Sequence, residues 1–408
     1  MRTYPLFMVI LLCIAIVLVD ALTFYWLQSI TQLLVSPALE TAIIILFWTF
    51  TIGLVCAILI LKIRMRSILV TKRQFLISSL YGLTISSFIP KILFSIIISV
   101  LYFSNYIFSE TQSVIIVPLA GLLAGFLPFF AIVYAIFKAA YRFKVHRATI
   151  HHKDVPEAFQ GLKIVHISDL HVGSFNFRYR ILERAVRIIN DLDADLIFFT
   201  GDLVNNFGWE LNGWDVVLSK LSAKKGKYAI LGNHDYGDYS HWDSPEAKRE
   251  NFEEIKNFFE RIDFKLLLNE GVVATENNHN IAILGVENWG YPPFRQDGDL
   301  AKALKDVETI PFKILLSHDP SHWDAEVIEK TDIALTLSGH THGMQAGINF
   351  MGKKWSPIKY KYKRWAGLYK HNEQYLYVNK GLGWLGFPGR LGMRPEITFL
   401  ELRRLVEK

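Results

Sequence analysis

The stretch Leu162-Lys-Ile-Val-His-Ile-Ser-Asp169-Leu-His171 decides how this chain is read. An apolar run with strand character over 162–168 ends in an acid and a histidine two positions apart. On an extended chain Asp169 and His171 alternate past the strand end, where both reach one ion. The pattern recurs downstream. Gly201-Asp202 follows the apolar run 196–200, and Gly232-Asn-His-Asp235 follows 228–231. His318 follows 313–317, and Gly339-His-Thr-His342 follows 333–337. One such patch is a weak signal; five, each behind a short apolar run, point to a binuclear metal centre.

The residue types fit that chemistry. His340 and His342 repeat the spacing of two, and Gly339, Thr341 and Gly343 around them are small enough to let the backbone bend toward a metal. The carboxylate of Asp202 has two oxygens and can bridge two cations, and Asn233 offers a neutral carbonyl oxygen. The two cysteines, Cys13 and Cys56, both lie in apolar N-terminal runs, so there is no disulfide framework and no thiolate site. A mixed oxygen and nitrogen donor set favours two divalent ions drawn from Mn, Fe or Zn.

Around the patches, strands and helices alternate. Helical spacing covers 178–190, 245–261 and 300–307. Further short strands fall at 265–268, 271–275, 281–285, 375–379 and 396–402. These are too many strands for one doubly wound sheet, and the helices between them argue against an all-β fold. The expectation is an α/β fold with a two-sheet core and helices outside.

The N-terminal part is of another kind. The chain has 408 residues, a mean hydropathy of +0.24 and a pI near 9.0. Residues 1–154 hold 12 Lys/Arg against 4 Asp/Glu, and the remainder 32 against 34. The basic balance therefore belongs to the N-terminal part. The remainder lacks the domain-wide basic excess of a nucleic-acid binder, and no nucleic-acid partner is expected. Four apolar runs, 5–27, 39–61, 75–103 and 114–137, each reach the ~20 residues a bilayer core requires. The first is too long for a signal-peptide core and reads as a retained helix. Lys62, Arg64, Arg66, Lys72 and Arg73 lie between the second and third runs. Lys138, Arg142, Lys144, Arg147 and Lys153 follow the fourth, while the other two loops hold no Lys or Arg. Positive charge stays on the cytoplasmic side. The expectation is a multi-pass protein of the plasma or inner membrane, with membrane lipids as partners and the globular part in the cytoplasm. Its organisation reads as a four-helix transmembrane region over 1–140, a basic linker over 141–154 and a globular domain over 155–408. Asp20 and Lys91 fall at matching depths in their runs; either each faces a polar crevice or snorkels, or the two pair inside the bundle.

The ordered set DLH, GD, GNHD, H and GHTH resembles the calcineurin-like metallophosphoesterase superfamily. His166-Ile-Ser-Asp-Leu-His171, Leu316-Ser-His318, Leu337-Ser-Gly-His-Thr-His-Gly343 and Tyr377-Val-Asn-Lys-Gly-Leu-Gly383 are similar to its membrane-anchored bacterial, YkuE-like branch. The likeness covers nearly all of 160–402. Where many relatives have Gly-Gly-Gln after the last histidine, this chain has Gly343-Met344-Gln345, a change that bears on pocket shape. The resemblance implies a four-layer α/β/β/α sandwich and a metal-dependent phosphoric ester hydrolase. It also implies that Asp169, His171 and His342 hold one metal, that Asn233, His318 and His340 hold the other, and that Asp202 bridges them. A bridging water would then attack phosphorus in line. His234 is left over as the candidate catalytic acid, oriented by Asp235.

Other residues have quieter readings. His166 sits inside the first strand, as a core residue or a neighbour of the ligands. Asp319 and His322 flank Pro320 in a turn, where capping is the default. His146, His151, His152, His241, His279 and His371 read as solvent or linker residues. Lys359, Lys361 and Lys363 alternate with Tyr360 and Tyr362 as on a strand with one wet face, read either as a solvated hairpin face or as a basic patch contacting anionic lipid or substrate phosphate. The glycine-rich loop 383–390 reads first as packing over the core; the alternative makes Trp384 and Phe387 an apolar wall for acyl chains and Arg390 a phosphate contact. Phosphomonoesters or diesters are the expected substrates, with lipid-linked and headgroup esters as candidates. The competing reading is a non-catalytic phosphate- or metal-sensing module coupled to membrane signalling or transport. His234, which metal binding does not require, favours the enzyme. The oligomeric state is not legible.

Overall fold

The computed structural model describes residues 5–32, 36–65, 67–104, 110–350 and 353–405. Arg2 and Arg66, two of the flanking charges, lie outside the described residues. Over the described residues the chain divides into two units, one of the residues up to 138 with Gly386–Gly389, the other of Ala139–Leu385 with the residues from Arg390 onward.

The first unit holds α1 (Leu6–Thr31), α2 (Pro37–Arg64), α3 (Val70–Phe103) and α4 (Glu110–Phe137). All four are long and apolar enough to cross a membrane. Large apolar side chains such as Phe7, Leu46, Ile63 and Phe130 stand exposed along them, as lipid-facing helices require. α1 packs on α2 and α3, and α3 on α4. The buried Asp20 carboxylate meets Lys91 Nζ at 2.7 Å. Thr51 also donates to that carboxylate, and Lys91 lies 4.5 Å from the centre of the Phe47 ring. Of the two readings open from depth alone, pairing is the one found, and it ties α1, α2 and α3 together.

The second unit begins with β1 (Lys144–His152), then β2 (Lys163–Ile167), α5 (Tyr179–Asn190), β3 (Leu196–Thr200), α6 (Asp215–Leu218), β4 (Gly226–Ile230), α7 (Pro245–Arg261) and β5 (Lys265–Leu266). It continues with β6 (Glu270–Glu276), β7 (His279–Gly285), α8 (Leu300–Leu304), β8 (Lys313–Leu316), β9 (Leu335–Ser338) and the hairpin β10 (Ile348–Phe350) and β11 (Lys353–Trp355). It ends with β12 (Gly367–His371), β13 (Gln374–Val378) and β14 (Glu396–Arg404). Two mixed six-stranded sheets run β1-β14-β2-β3-β4-β5 and β12-β13-β9-β8-β7-β6.

Alternation along the strands builds the layers. Ile164, Leu196, Phe198, Leu400 and Leu402 of the first sheet pack with Ile281, Ile283, Ile314, Leu316, Leu335 and Leu337 of the second, filling the space between the sheets. The opposite face of the first sheet, with Val165, Ile167, Ile197 and Phe199, takes Leu182, Val186 and Ile189 of α5 and Ile255, Phe258 and Phe259 of α7. The opposite face of the second, with Leu284, Leu315, Leu376 and Val378, takes Leu300 and Ala303 of α8 together with Trp323 and Val327. This is the four-layer α/β/β/α sandwich.

The expected linker over 141–154 is not found. Lys144–His152 is an edge strand, parallel to β14 in the register Lys144↔Glu396 to His152↔Arg404. Its basic, polar sequence hides this because an edge strand buries little; Ile150 and His152 alone are buried on it. His152, read as a solvent histidine, stacks edge-on at 5.5 Å from Phe312. The run 359–363 is not a strand either. Pro357–Tyr360 is a 3-10 turn, entered through Ser356, whose hydroxyl accepts from Ile358 N.

Candidate metal centre

Every donor named from the sequence follows the carboxyl end of a parallel strand. Asp169 and His171 follow β2, Asp202 follows β3, and Asn233 and His234 follow β4. His318 follows β8, and His340 and His342 follow β9. Loops at that edge are where open α/β sheets gather their functional groups, and here two sheets contribute.

The chain is not extended there, contrary to the expectation for Asp169 and His171. Positive φ occurs at Asp169 (49°), His171 (44°), Asp202 (59°), His340 (68°) and His342 (50°). Left-handed backbone costs a non-glycine residue about 1 kcal/mol or more, so neighbouring loops must hold it. They do so through Asp169 N to Gly201 O at 2.9 Å, His171 N to Asp202 O at 3.0 Å and Gly339 N to His318 O at 2.9 Å. Gly201 is obligatory on a second ground: a Cβ there would stand 2.3 Å from Gly232 N, where the loops after β3 and β4 touch.

The side chains form two donor clusters sharing one carboxylate: Asp169, His171, Asp202 and His342, and Asp202, His318 and His340. In the first, His171 Nε2 lies 3.4 Å from Asp202 Oδ2 and 3.1 Å from His342 Nε2, and His342 Nε2 lies 3.3 Å from Asp169 Oδ1. In the second, His318 Nε2 lies 3.3 Å from Asp202 Oδ2 and 3.3 Å from His340 Nδ1. Asn233 Oδ1 completes it, 2.8 Å from His340 Nδ1. Ligands each about 2.1 Å from one ion stand roughly 3.0–3.4 Å apart, the spacing seen here. Two imidazole nitrogens facing each other across such a gap make poor hydrogen-bond partners and good co-ligands. The residues fit a pair of divalent cations.

Electrostatics point the same way. Burial raises the Asp169 carboxyl above its ordinary range. Burial would raise Asp202 as well, but His318 and His234 beside it hold it well below that range. Burial draws His318 toward neutrality, yet Asp202 more than offsets this and holds the imidazole up at about 10. Burial pushes His234 down to about 4 and His342 well below the usual imidazole value. The carboxylates recruit positive charge into the pocket, a demand that metal cations satisfy while displacing protons.

Residues 162–344 match the family model described as Calcineurin-like phosphoesterase. Uncharacterized metallophosphoesterase YkuE of Bacillus subtilis is 32% identical over 275 residues, 66% of this chain and 89% of that protein. The chain belongs to the calcineurin-like metallophosphoesterase family. A transmembrane protein with metallophosphoesterase domain from Danio rerio is 29% identical over 67% of this chain, which spans 60% of that relative's length. Phosphodiesterase YaeI of Escherichia coli is 28% identical over 59% of this chain and 82% of its own.

In this metallophosphoesterase some side chains do other work than their sequence suggested. Asp235 does not orient His234. Its buried carboxylate accepts from the backbone amides of Asp202 (2.9 Å), Leu203 (2.8 Å), Val204 (3.2 Å) and Gly232 (2.9 Å), clamping the loops that carry Asp202 and Asn233. His234 is instead set by its Nδ1, 2.8 Å from the Asn205 carbonyl, and its ring packs 4.5 Å from that of Tyr239. Its Nε2 has no partner among the described residues.

Arg390 is no phosphate contact: it is fully buried. Its guanidinium donates to the carbonyls of Lys380 (2.6 Å), Gly381 (3.2 Å) and Gly383, and Nη2 approaches His342 Nδ1 at 3.2 Å. It braces the loop after β13 beneath His342. Trp384 packs in the core, the first of its two readings, 4.7 Å from Phe175 and 5.4 Å from Tyr141 between ring centres. Phe387 is half-buried and groups with the helical unit. His166 lies behind the ligands, its Nε2 2.8 Å from Thr200 Oγ1. Asp319 caps its turn through Ser321 N at 2.8 Å, as expected. Tyr362, read only as part of a basic strand, is buried with its hydroxyl 2.7 Å from His340 Nε2. Nothing in its local sequence announces this, because the contact joins two loops through tertiary packing.

Proposed function

We propose that this metallophosphoesterase is a membrane-anchored, binuclear-metal-dependent hydrolase of phosphoesters. The observation that carries the reading is a pair of donor clusters sharing Asp202, with a further histidine, His234, that neither cluster uses. Asp169, His171, Asp202 and His342 would hold one ion, and Asp202, Asn233, His318 and His340 the other. Two divalent cations there would activate water at neutral pH and neutralise phosphoryl charge.

The chain's own groups do the rest. Asp202 fixes the two clusters relative to each other. The Nδ1–H of His234 donates to the Asn205 carbonyl at 2.8 Å, which leaves Nε2 as the nitrogen that handles a proton. Negative phosphoryl charge arriving beside the ring raises its proton affinity, and Nε2–H then meets the leaving oxygen as the P–O ester bond breaks. Asp235 acts indirectly, through the loops it clamps. The name of the phosphodiesterase relative from Escherichia coli supports diesters among the substrates. The four apolar helices support substrates presented at a bilayer, and the Lys/Arg asymmetry supports a cytoplasmic catalytic domain.

The test is a screen of the full chain, reconstituted with Mn, Fe or Zn, against phospholipid, nucleotide and generic esters. His234→Ala and Asp202→Ala serve as controls, and full activity in both overturns the assignment. A reporter active only outside the cytoplasm, fused at residue 408, should stay silent; strong activity refutes the orientation.

A further inference from the structure

Beside the second cluster lies a cleft of about 250 Å³. One wall is the Tyr291-Pro-Pro-Phe294 segment and the other the run Lys361-Tyr-Lys-Arg364, with Asp319 at the base. Two of its lining residues, Tyr362 and Phe294, touch His340 of the second cluster. The Tyr362 hydroxyl is 2.7 Å from His340 Nε2, and the Phe294 ring stands edge-on to the His340 ring at 4.9 Å.

The charges in the cleft are unequal in their availability. Arg364 is committed to Asp324 at 3.0 Å and lies 4.4 Å from the Trp323 ring centre. Asp319 Oδ1 accepts from Ser321, through N at 2.8 Å and Oγ at 2.6 Å, and its Oδ2 lies 3.5 Å from His340 Nε2 and accepts from the Tyr362 hydroxyl at 3.5 Å. Lys361 and Lys363 have no carboxylate partner among the described residues. The Lys361 ammonium is held 5.0 Å from the Phe294 ring centre and 5.3 Å from that of Tyr362. Aromatic contacts position a cation without neutralising it. The cleft thus combines an aromatic and proline wall with two ammonium groups that have no carboxylate partner among the described residues, next to the site assigned above to one phosphoryl group.

We propose that this cleft receives the leaving arm of the substrate, and that Lys361 and Lys363 bind a second phosphate carried on that arm. The inference rests on the hydrolase reading above and narrows its substrate class to esters with a second phosphate on the leaving arm. Phe294 and Tyr291 pack on the part of the arm between the two phosphates.

The experiment uses the full chain in vesicles with two matched ester pairs. The soluble pair is phenyl phosphate and phenylene bisphosphate; the bilayer pair is phosphatidylglycerol and phosphatidylglycerol phosphate. The bisphosphate member of at least one pair should show a KM about tenfold lower, each exposed lysine contributing a factor of about three. Lys361→Ala with Lys363→Ala should abolish that preference and leave the single-phosphate member within about twofold, and Arg at both positions should restore it. Preference in the soluble pair marks a diffusible substrate, and preference confined to the bilayer pair marks a headgroup. Calorimetry on metal-free protein gives a readout independent of turnover: hydroxyphenyl phosphate, the leaving arm itself, should bind, and the double variant should weaken it about tenfold. Equal KM values within both pairs, or a double variant that shifts both members alike, overturns the subsite and leaves the hydrolase reading standing. No hydrolysis of any of the four esters with any of the metals overturns the hydrolase reading, and the subsite falls with it.

Discussion

Replacing Asp235 by asparagine separates the role its sequence position suggests from the role its contacts define. The Oδ1 atom accepts from Leu203 N and Val204 N, and Oδ2 from Asp202 N and Gly232 N, at 2.8–3.2 Å. Asparagine retains one oxygen for Leu203 and Val204 but turns an NH2 toward the other two amides. Hydrogen bonds to a charged group contribute about 1.5–3 kcal/mol each, and the two lost bonds leave buried donors facing a donor. Allowing for partial relaxation, the loss is about 3 kcal/mol, or roughly 10 °C in Tm for a domain of this size. The assay is thermal unfolding of the detergent-solubilised full chain after chelation, so that metal binding does not mask the change. Metal titration should then show weakened affinity, because Asp202 and Gly232-Asn233 lose their common clamp. An unchanged Tm and metal affinity with a large fall in kcat would refute the clamp and return Asp235 to the role of orienting His234.

Three further outcomes follow from the same geometry. Tyr362→Phe removes the hydroxyl from His340 Nε2 and should weaken one of the two metal-binding steps about tenfold, with little change in Tm; unchanged binding isotherms would exclude the role. Glu396 is buried, which raises its carboxyl, but the Lys380 ammonium outweighs this and holds it at about 2 instead of 4.5. Its folded value is the depressed one, so its contribution of about 3 kcal/mol is present above pH 4.5 and is lost as pH falls toward 2; Glu396→Gln should flatten acid unfolding across that window. In the helical unit, reversing either Asp20 or Lys91 alone should cost about 3–5 kcal/mol, and the double reversal should recover folded protein in detergent; failure of the double reversal would count against the pair.

Much of the fold was legible because it rests on local pattern. The helix Pro245–Arg261 and the strand Leu196–Thr200 occur with the bounds their hydrophobic spacing implies. The strand β1 was not legible. An edge strand needs only one partner and little burial, so Lys144–His152 keeps a polar sequence that reads as linker. The seven candidate donors converge in space as their motif order implied. What lay outside the sequence was second-order in contact. Asp235 and His234 are neighbours in the chain, yet each is bonded to the loop after β3. Arg390 resembles an exposed phosphate contact and is instead the buried brace of a glycine-rich turn.

The sequence by itself determined the two classes of segment, the strand ends that carry donors and the depth match of Asp20 with Lys91. These depend on composition and on periods of two and 3.6 residues, which are local properties. Only the tertiary structure decided that the five donors in left-handed backbone are held by neighbouring loops, that Tyr362 meets His340 and that two lysines, with no carboxylate partner among the described residues, share a cleft with an aromatic wall. Those facts depend on which strand ends lie side by side, and strand adjacency is set by the packing of two sheets, not by any stretch of chain.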